Sequence, residues 1–179
     1  MEELLDIKNI YYPIINDFNL KINLKMNCNE INDNILNNIF HKIKKKYEKK
    51  CTKNGYIYKL NNIVKYTQNP ISNENLISYP SFNITINTDI ILPLKYQTIV
   101  CKIIKICPDI LRCHFGPIEI ISQINNEQYN MIKNNDNIEY INMNIKDIQY
   151  SVFDTNIKCL GEFIAISTNN EIEQFSFKN

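Results

Sequence analysis

The chain has three glycines, one alanine (Ala165), one arginine (Arg112) and no tryptophan in 179 residues. So few glycines exclude a glycine-rich phosphate-binding loop, and no paired-carboxylate motif stands in for one. No stretch approaches the roughly 18 consecutive apolar residues of a membrane-spanning helix. The start, MEELLDIKNI, is acidic and lacks an apolar run of signal-peptide length. The expectation is an intracellular chain with no membrane partner. None of the six cysteines forms a C-x-x-C pair, and only two histidines, His41 and His114, accompany them. Reduced thiols are therefore expected, with no metal and no cofactor. A net charge of +1 rules out a whole-protein electrostatic case for nucleic acid, so any such binding needs a local patch.

The residues in abundance are isoleucine, asparagine and lysine, a skew that fits an AT-rich genome. An apolar fraction of 44% is enough for a core. The segment 14–26 alternates loosely and reads as a strand. In 31–47, Ile31, Ile35, Ile39 and Ile43 recur every four residues, with Leu36, Phe40 and Tyr47 widening the stripe. That pattern predicts an amphipathic helix, with Asn27 or Asn29 at its N-terminus and lysines at its C-terminus. Asn54-Gly55 marks a turn into a strand over 56–66. The stretch 67–81 carries two prolines and reads as a loop. Alternation returns in 82–92, with Phe82, Ile84 and Ile86 on one face.

After Pro93 the pattern is strand-like over 96–106, 109–115, 118–122, 145–153 and 160–167. The polar stretch 125–137 interrupts it, and the tail from 168 is weakly patterned. The expected class is α+β. A strand–helix–strand module over 1–92 precedes a five-stranded barrel of the oligonucleotide/oligosaccharide-binding (OB) kind over 93–179.

Four local patterns, in order, resemble the stalk subunit of multisubunit RNA polymerases, the family of the seventh subunit of RNA polymerase II and its archaeal counterpart. They are 48-EKKCTKNGYI-57, 84-ITINTDIILPLKYQTI-99, 111-LRCHFGPIEIIS-122 and 163-FIAIS-167. The resemblance covers about residues 14–167. It implies a truncated RNP-like N-terminal domain that docks on the polymerase core and an OB domain that contacts nascent RNA. The docking residues it implies are Glu48, Cys51, Gly55, Asn69 and Pro70. Expected partners are polymerase core subunits, with room for a second stalk subunit, and weakly held single-stranded RNA.

Departures from the family pattern are also present. The stretch 67–81 has no glycine, Tyr96 replaces the glycine of the K-G-E-V turn, and Ser167 replaces the glycine of A-I-G. Such drift fits a viral or otherwise fast-diverging polymerase. A viral protein would reside in virion and host cytoplasm, a cellular one in the nucleus.

The chemistry-bearing residues point to binding rather than catalysis. His114 and Cys113 are strand neighbours and so face opposite ways. The basic run Lys42, Lys44, Lys45, Lys46, Lys49, Lys50 and Lys53 reads either as a solvated helix end or as a surface for an acidic partner. On the barrel, Lys95, Tyr96, Lys102, Lys105 and Arg112 combine cations for phosphates with a ring for a base. Lys102 and Lys105 are three apart, so a regular strand would not place both on one face. Phe115, beside Gly116, reads as core. The alternative is a free-standing OB-fold RNA-binding protein of translation or RNA processing. Such a protein has no need of the N-terminal module.

Overall fold

The computed structural model describes residues 10–69, 80–134 and 138–178. They form two compact units. One spans Ile14–Ile91, and the other holds the described residues from Leu92 onward together with residues 10–13.

The first unit begins with β1 (Ile14–Lys25), where Leu20, Ile22 and Leu24 alternate inward. A turn of 3₁₀ helix follows at Cys28–Glu30. The Asn27 N–H donates to Glu30 Oε2 at 2.7 Å, so Asn27 caps this turn and not the helix beyond it. The helix α1 runs Ile35–Tyr47, one turn later than its isoleucine spacing suggests. Asn32 explains the delay: its side chain accepts from the N–H of Asn34 and from Asn38 Nδ2, so the chain turns locally there before the helix starts. Ile31 is left exposed.

Next come β2 (Cys51–Thr52), β3 (Gly55–Gln68) and β4 (Ser81–Ile91), giving an antiparallel sheet in the order β1-β4-β3-β2. Gly55 has φ +116, a value that side chains rarely tolerate, and its carbonyl accepts from Thr52 Oγ1 at 3.0 Å. Thr67 and Gln68, expected in a loop, pair with Asn83 and Phe82; residues 70–79 lie outside the described residues. The core joins Ile39 and Ile43 of α1 to Leu20, Ile22, Leu24, Ile57, Leu60, Phe82, Ile84, Ile86 and Ile90.

The second unit is a closed five-stranded barrel. Its strands are β5 (Thr98–Ile106), β6 (Ile110–Phe115), β7 (Ile118–Gln123), β8 (Tyr140–Gln149) and β9 (Ile157–Ile166), in the order β5-β6-β7-β9-β8. Only β7 and β9 run parallel. Ile10 bridges to Thr98, so the described residues ahead of β1 pack here.

Two short helices break the strand pattern where the sequence reads only as polar. In α2 (Asn126–Lys133), Asn125 and Gln128 cap reciprocally; in α3 (Asn169–Phe175), Thr168 and Glu171 do the same. Both are capping boxes, a signal legible in N-x-x-Q and T-x-x-E. The strand expected over 145–153 is β8, which starts five residues earlier. Its expected end is instead a loop, turned by Ser151 and Asp154, with Phe153 at φ +75.

Gly161 lies inside β9. A Cβ there would sit 2.7 Å from Ile120 Cγ2, so close packing across the barrel requires its absence. Gly116 does turn a hairpin, at φ +52, and a Cβ would meet the Phe177 ring at 2.7 Å. Phe115 is buried and packs edge-on against Tyr12 and Phe177.

Candidate nucleic-acid interface on the barrel

The barrel interior takes Ile99, Cys101, Leu111, Cys113, Ile118, Ile120, Ile141, Met143, Ile157 and Cys159, and the alternate residues face outward. On β5 this alternation is broken once. Lys102 pairs with His114 and Ile103 with Cys113, yet it is Lys105 that pairs with Arg112. Ile104 is an extra residue, a β-bulge. The bulge resets the parity, so Lys102 and Lys105 share the outer face after all. Across β6, His114 and Arg112 stand beside them.

The rungs continue along the outer wall. One runs Lys105, Arg112, Ile121, Leu160; the other runs Lys102, His114, Glu119, Lys158. Ile121 and Leu160 are both exposed, giving an apolar strip beside the Lys105–Arg112 pair. This wall includes the β6–β7 face, the second and third barrel strands, which OB-folds use for oligonucleotides and oligosaccharides.

The five barrel residues singled out in the sequence do not form one site. Lys95 reaches Asp147 at 2.5 Å, and that hydrogen bond raises the Lys95 pKa and lowers that of Asp147. Lys102 reaches Glu139 at 3.2 Å, which raises its pKa. A phosphate would have to displace these carboxylates. Among the described residues, Lys105 and Arg112 have no ion-pair partner, so of the five they are the cations open to an anion; exposed Lys158 on the neighbouring rung is another. Tyr96 is 73% exposed at φ +64, and its N–H donates to the Ile145 carbonyl at 2.6 Å. The turn therefore holds a non-glycine residue in the left-handed region. Tyr96 lies in the turn ahead of β5, whereas Lys105 stands near the far end of that strand.

The residues implied for docking have mostly internal partners. Glu48 ends α1, with its carboxylate 3.6 Å from Lys44. Its Oε2 is buried and accepts no hydrogen bond among the described residues. Cys51 is fully buried, and Gly55 serves the β2–β3 turn. Asn69 closes the base of the β3–β4 hairpin, donating to Ser81 Oγ and accepting from Asn83. Pro70 lies outside the described residues. In the basic run, Lys42 is tied to Glu30 at 2.6 Å and Lys44 to Glu48.

Sequence reasoning missed a buried polar network in the barrel unit. Ser167 donates to Asn142 Oδ1 at 2.8 Å. Asn142 Nδ2 in turn reaches Glu171 Oε2 at 3.2 Å, and the Thr168 N–H also donates to that carboxylate. The serine thus helps fix α3.

Among the described residues, no three of His, Cys, Asp and Glu gather to hold a metal. No helix among them is long and apolar enough to cross a membrane.

No family model matches the chain. It is 23% identical over 137 residues, 69% of its own length and 69% of the relative's, to a protein of Acanthamoeba polyphaga mimivirus. That protein is named, provisionally, as a DNA-directed RNA polymerase subunit. The chain is thus similar to a viral polymerase subunit, and its closed five-stranded barrel fits the OB-fold.

Proposed function

We propose that this chain is a non-catalytic stalk subunit of a multisubunit DNA-dependent RNA polymerase, of a divergent viral kind. The N-terminal unit, as a truncated RNP-like domain, docks on the core. The barrel contacts nascent RNA through Lys105 and Arg112, with Lys102 joining once a phosphate displaces Glu139. The observation that carries the reading is the likeness to a viral polymerase subunit over most of both chains. The OB-type barrel agrees with it.

RNA binding in this reading is weak and tolerant of sequence. So few open cations neutralise few phosphates, and each phosphate contact contributes about −0.7 to the slope of log K against log salt for single strands. Ile121 and Leu160 offer apolar contact without base-specific hydrogen bonds.

Affinity purification of the full chain from its native source tests the assignment. Core polymerase subunits should co-elute, and their absence would sink it. The RNA role has a separate test. In the assembled enzyme, labelled transcript should crosslink to residues 93–179, and Lys105→Glu with Arg112→Glu should weaken binding and flatten the salt slope by about 1.4. An unchanged slope would remove RNA from the proposal and leave the stalk assignment standing.

A further inference from the structure

The face of the N-terminal sheet that turns away from α1 holds a separate feature. Leu20, Ile22, Ile84 and Ile86 pack toward α1, so by alternation Lys21, Asn23, Asn83 and Thr85 project to the opposite side. Register sets Lys65 across from Thr85 and Thr67 across from Asn83. Two rungs result, Lys21–Thr85–Lys65 and Asn23–Asn83–Thr67. These residues help line a concavity of about 470 Å³, within the size range of small-molecule sites.

Its chemistry is rich in hydrogen-bond donors. Lys21 and Lys65 are exposed, and neither has an ion-pair partner among the described residues. The Asn23 amide donates to Asn83 Oδ1 at 2.9 Å, and the Asn83 amide donates to Asn69. That chain orients the amides and leaves each nitrogen a second hydrogen to give. Among the described residues, no carboxylate and no aromatic ring lines the concavity. Along β4 the next carboxylate on this face is Asp89, about 13 Å from Thr85 at the rise of a strand. Asp89 stands across from Lys59 and accepts from Asn61 and from the Asp17 N–H.

These features define the ligand. The two lysines flank β4 with their Cα atoms about 10 Å apart, which calls for an anion charged at more than one centre. The ammonium, amide and hydroxyl hydrogens together exceed what one carboxylate accepts, whereas each phosphoryl group brings several strong acceptor oxygens. Without a ring nothing stacks a base, and Asp89 opposes a long polyanion laid along the strands. We propose that this concavity binds a compact di- or triphosphate group. Lys21 and Lys65 hold it from both sides, and Asn23, Asn83 and Thr85 complete its donors. The site goes beyond the polymerase assignment and does not rest on it.

Nitrogen-15 NMR of the full chain, at constant ionic strength, tests the site. Pyrophosphate should move the side-chain amides of Asn23 and Asn83 and the backbone amide of Thr85, with a Kd at least about tenfold below that of orthophosphate. ATP should act like pyrophosphate, and adenosine should move nothing. Lys21→Gln with Lys65→Gln should weaken pyrophosphate binding at least about tenfold. Both lysines are exposed, so the thermal melt should stay put. Lys105→Gln with Arg112→Gln, on the barrel, should leave this binding unchanged.

A 5′-triphosphate oligoribonucleotide distinguishes the sources of the group. Tighter binding than pyrophosphate assigns it to the end of a transcript, and weaker binding assigns it to a free nucleotide or pyrophosphate. Equal shifts with orthophosphate, sulfate or a hexaglutamate peptide would overturn the inference, because they would reveal only a general basic surface. So would a 5′-hydroxyl oligoribonucleotide that binds as tightly as the 5′-triphosphate one, or a lysine double variant that binds pyrophosphate as before.

Discussion

The two units handle the exposed edges of a sheet in opposite ways. The barrel abolishes them by closure, and neighbouring strands are further tied by surface pairs such as Lys146–Glu162. The N-terminal sheet stays open. It covers one face with α1, and its other face carries side-chain amides that bond to each other, as Asn23 does to Asn83 and Asn61 to Asn87. Closure leaves little room for error, as shown by Gly161, where a Cβ would sit 2.7 Å from Ile120 Cγ2. The open sheet tolerates three register shifts in one strand pair. A closed wall can be specialised on its outer surface without touching its core. An open sheet leaves apolar side chains such as Leu36, Val64 and Tyr66 exposed.

Four perturbations sharpen this contrast. The largest effect is expected in the open unit's single helix–sheet core. Ile43 is fully buried, and Ile43→Ala should cost about 2–5 kcal/mol in urea unfolding. Leu36→Ala, on the same helix but exposed, should stay within about 0.5 kcal/mol. Equal losses would mean that Leu36 is not exposed as described.

The next effect belongs to the barrel interior. Burial pushes the Cys113 and Cys159 thiols from 9.0 up to about 12, and burial also pushes Cys101 well up. Above pH 9 the unfolded chain loses these protons before the folded one does. Stability is therefore complete below pH 9 and falls as pH rises toward 12, by about 1.4 kcal/mol per pH unit for each thiol. Unfolding measured from pH 8 to 11 should steepen accordingly, and Cys113→Val with Cys159→Val should flatten the profile. A profile unmoved by that double change would mean the thiols are not buried as described. Under native conditions at pH 8, a thiol reagent should label exposed Cys28 and spare Cys101, Cys113 and Cys159.

Gly116→Ala comes third. A left-handed alanine costs roughly 1–2 kcal/mol, and the Phe177 ring must also move. Loss of the Phe115–Phe177 contact should appear as a shift in aromatic ring resonances. The smallest effect has the opposite sign. Tyr96 already sits in the left-handed region, so Tyr96→Gly should stabilise the barrel by about 0.5–1 kcal/mol after the extra entropy of glycine is subtracted. A loss of stability would show that the tyrosine ring makes a contact that offsets its strain.

Much of the architecture was legible because alternation and the four-residue spacing of Ile31 to Ile43 are strong periodic signals. The short helices α2 and α3 were not, because they bury little; their capping boxes were the readable trace. The start of α1 was misplaced because Asn32 bonds locally, which periodicity does not register. The candidate site was legible in residue type but not in arrangement. Lys95 and Lys102 read as open cations because Asp147 and Glu139 lie far along the chain and meet them only through the β5–β8 pairing. The parity rule separated Lys102 from Lys105 because it assumes an unbroken strand.

That break has a consequence for how the chain can change in length. Ile104 is the supernumerary residue of β5, exposed and outside the paired ladder. Its deletion would leave Lys102, Ile103, Lys105 and Ile106 as a regular out–in–out–in series, with every inward side chain still inward. Loss of Ile103 gives the same sequence, since both residues are isoleucine. A strand is normally the worst place for a one-codon deletion, since everything beyond it turns over. At codon 104 the reading frame has a position where three nucleotides can be lost while the outer wall keeps both lysines.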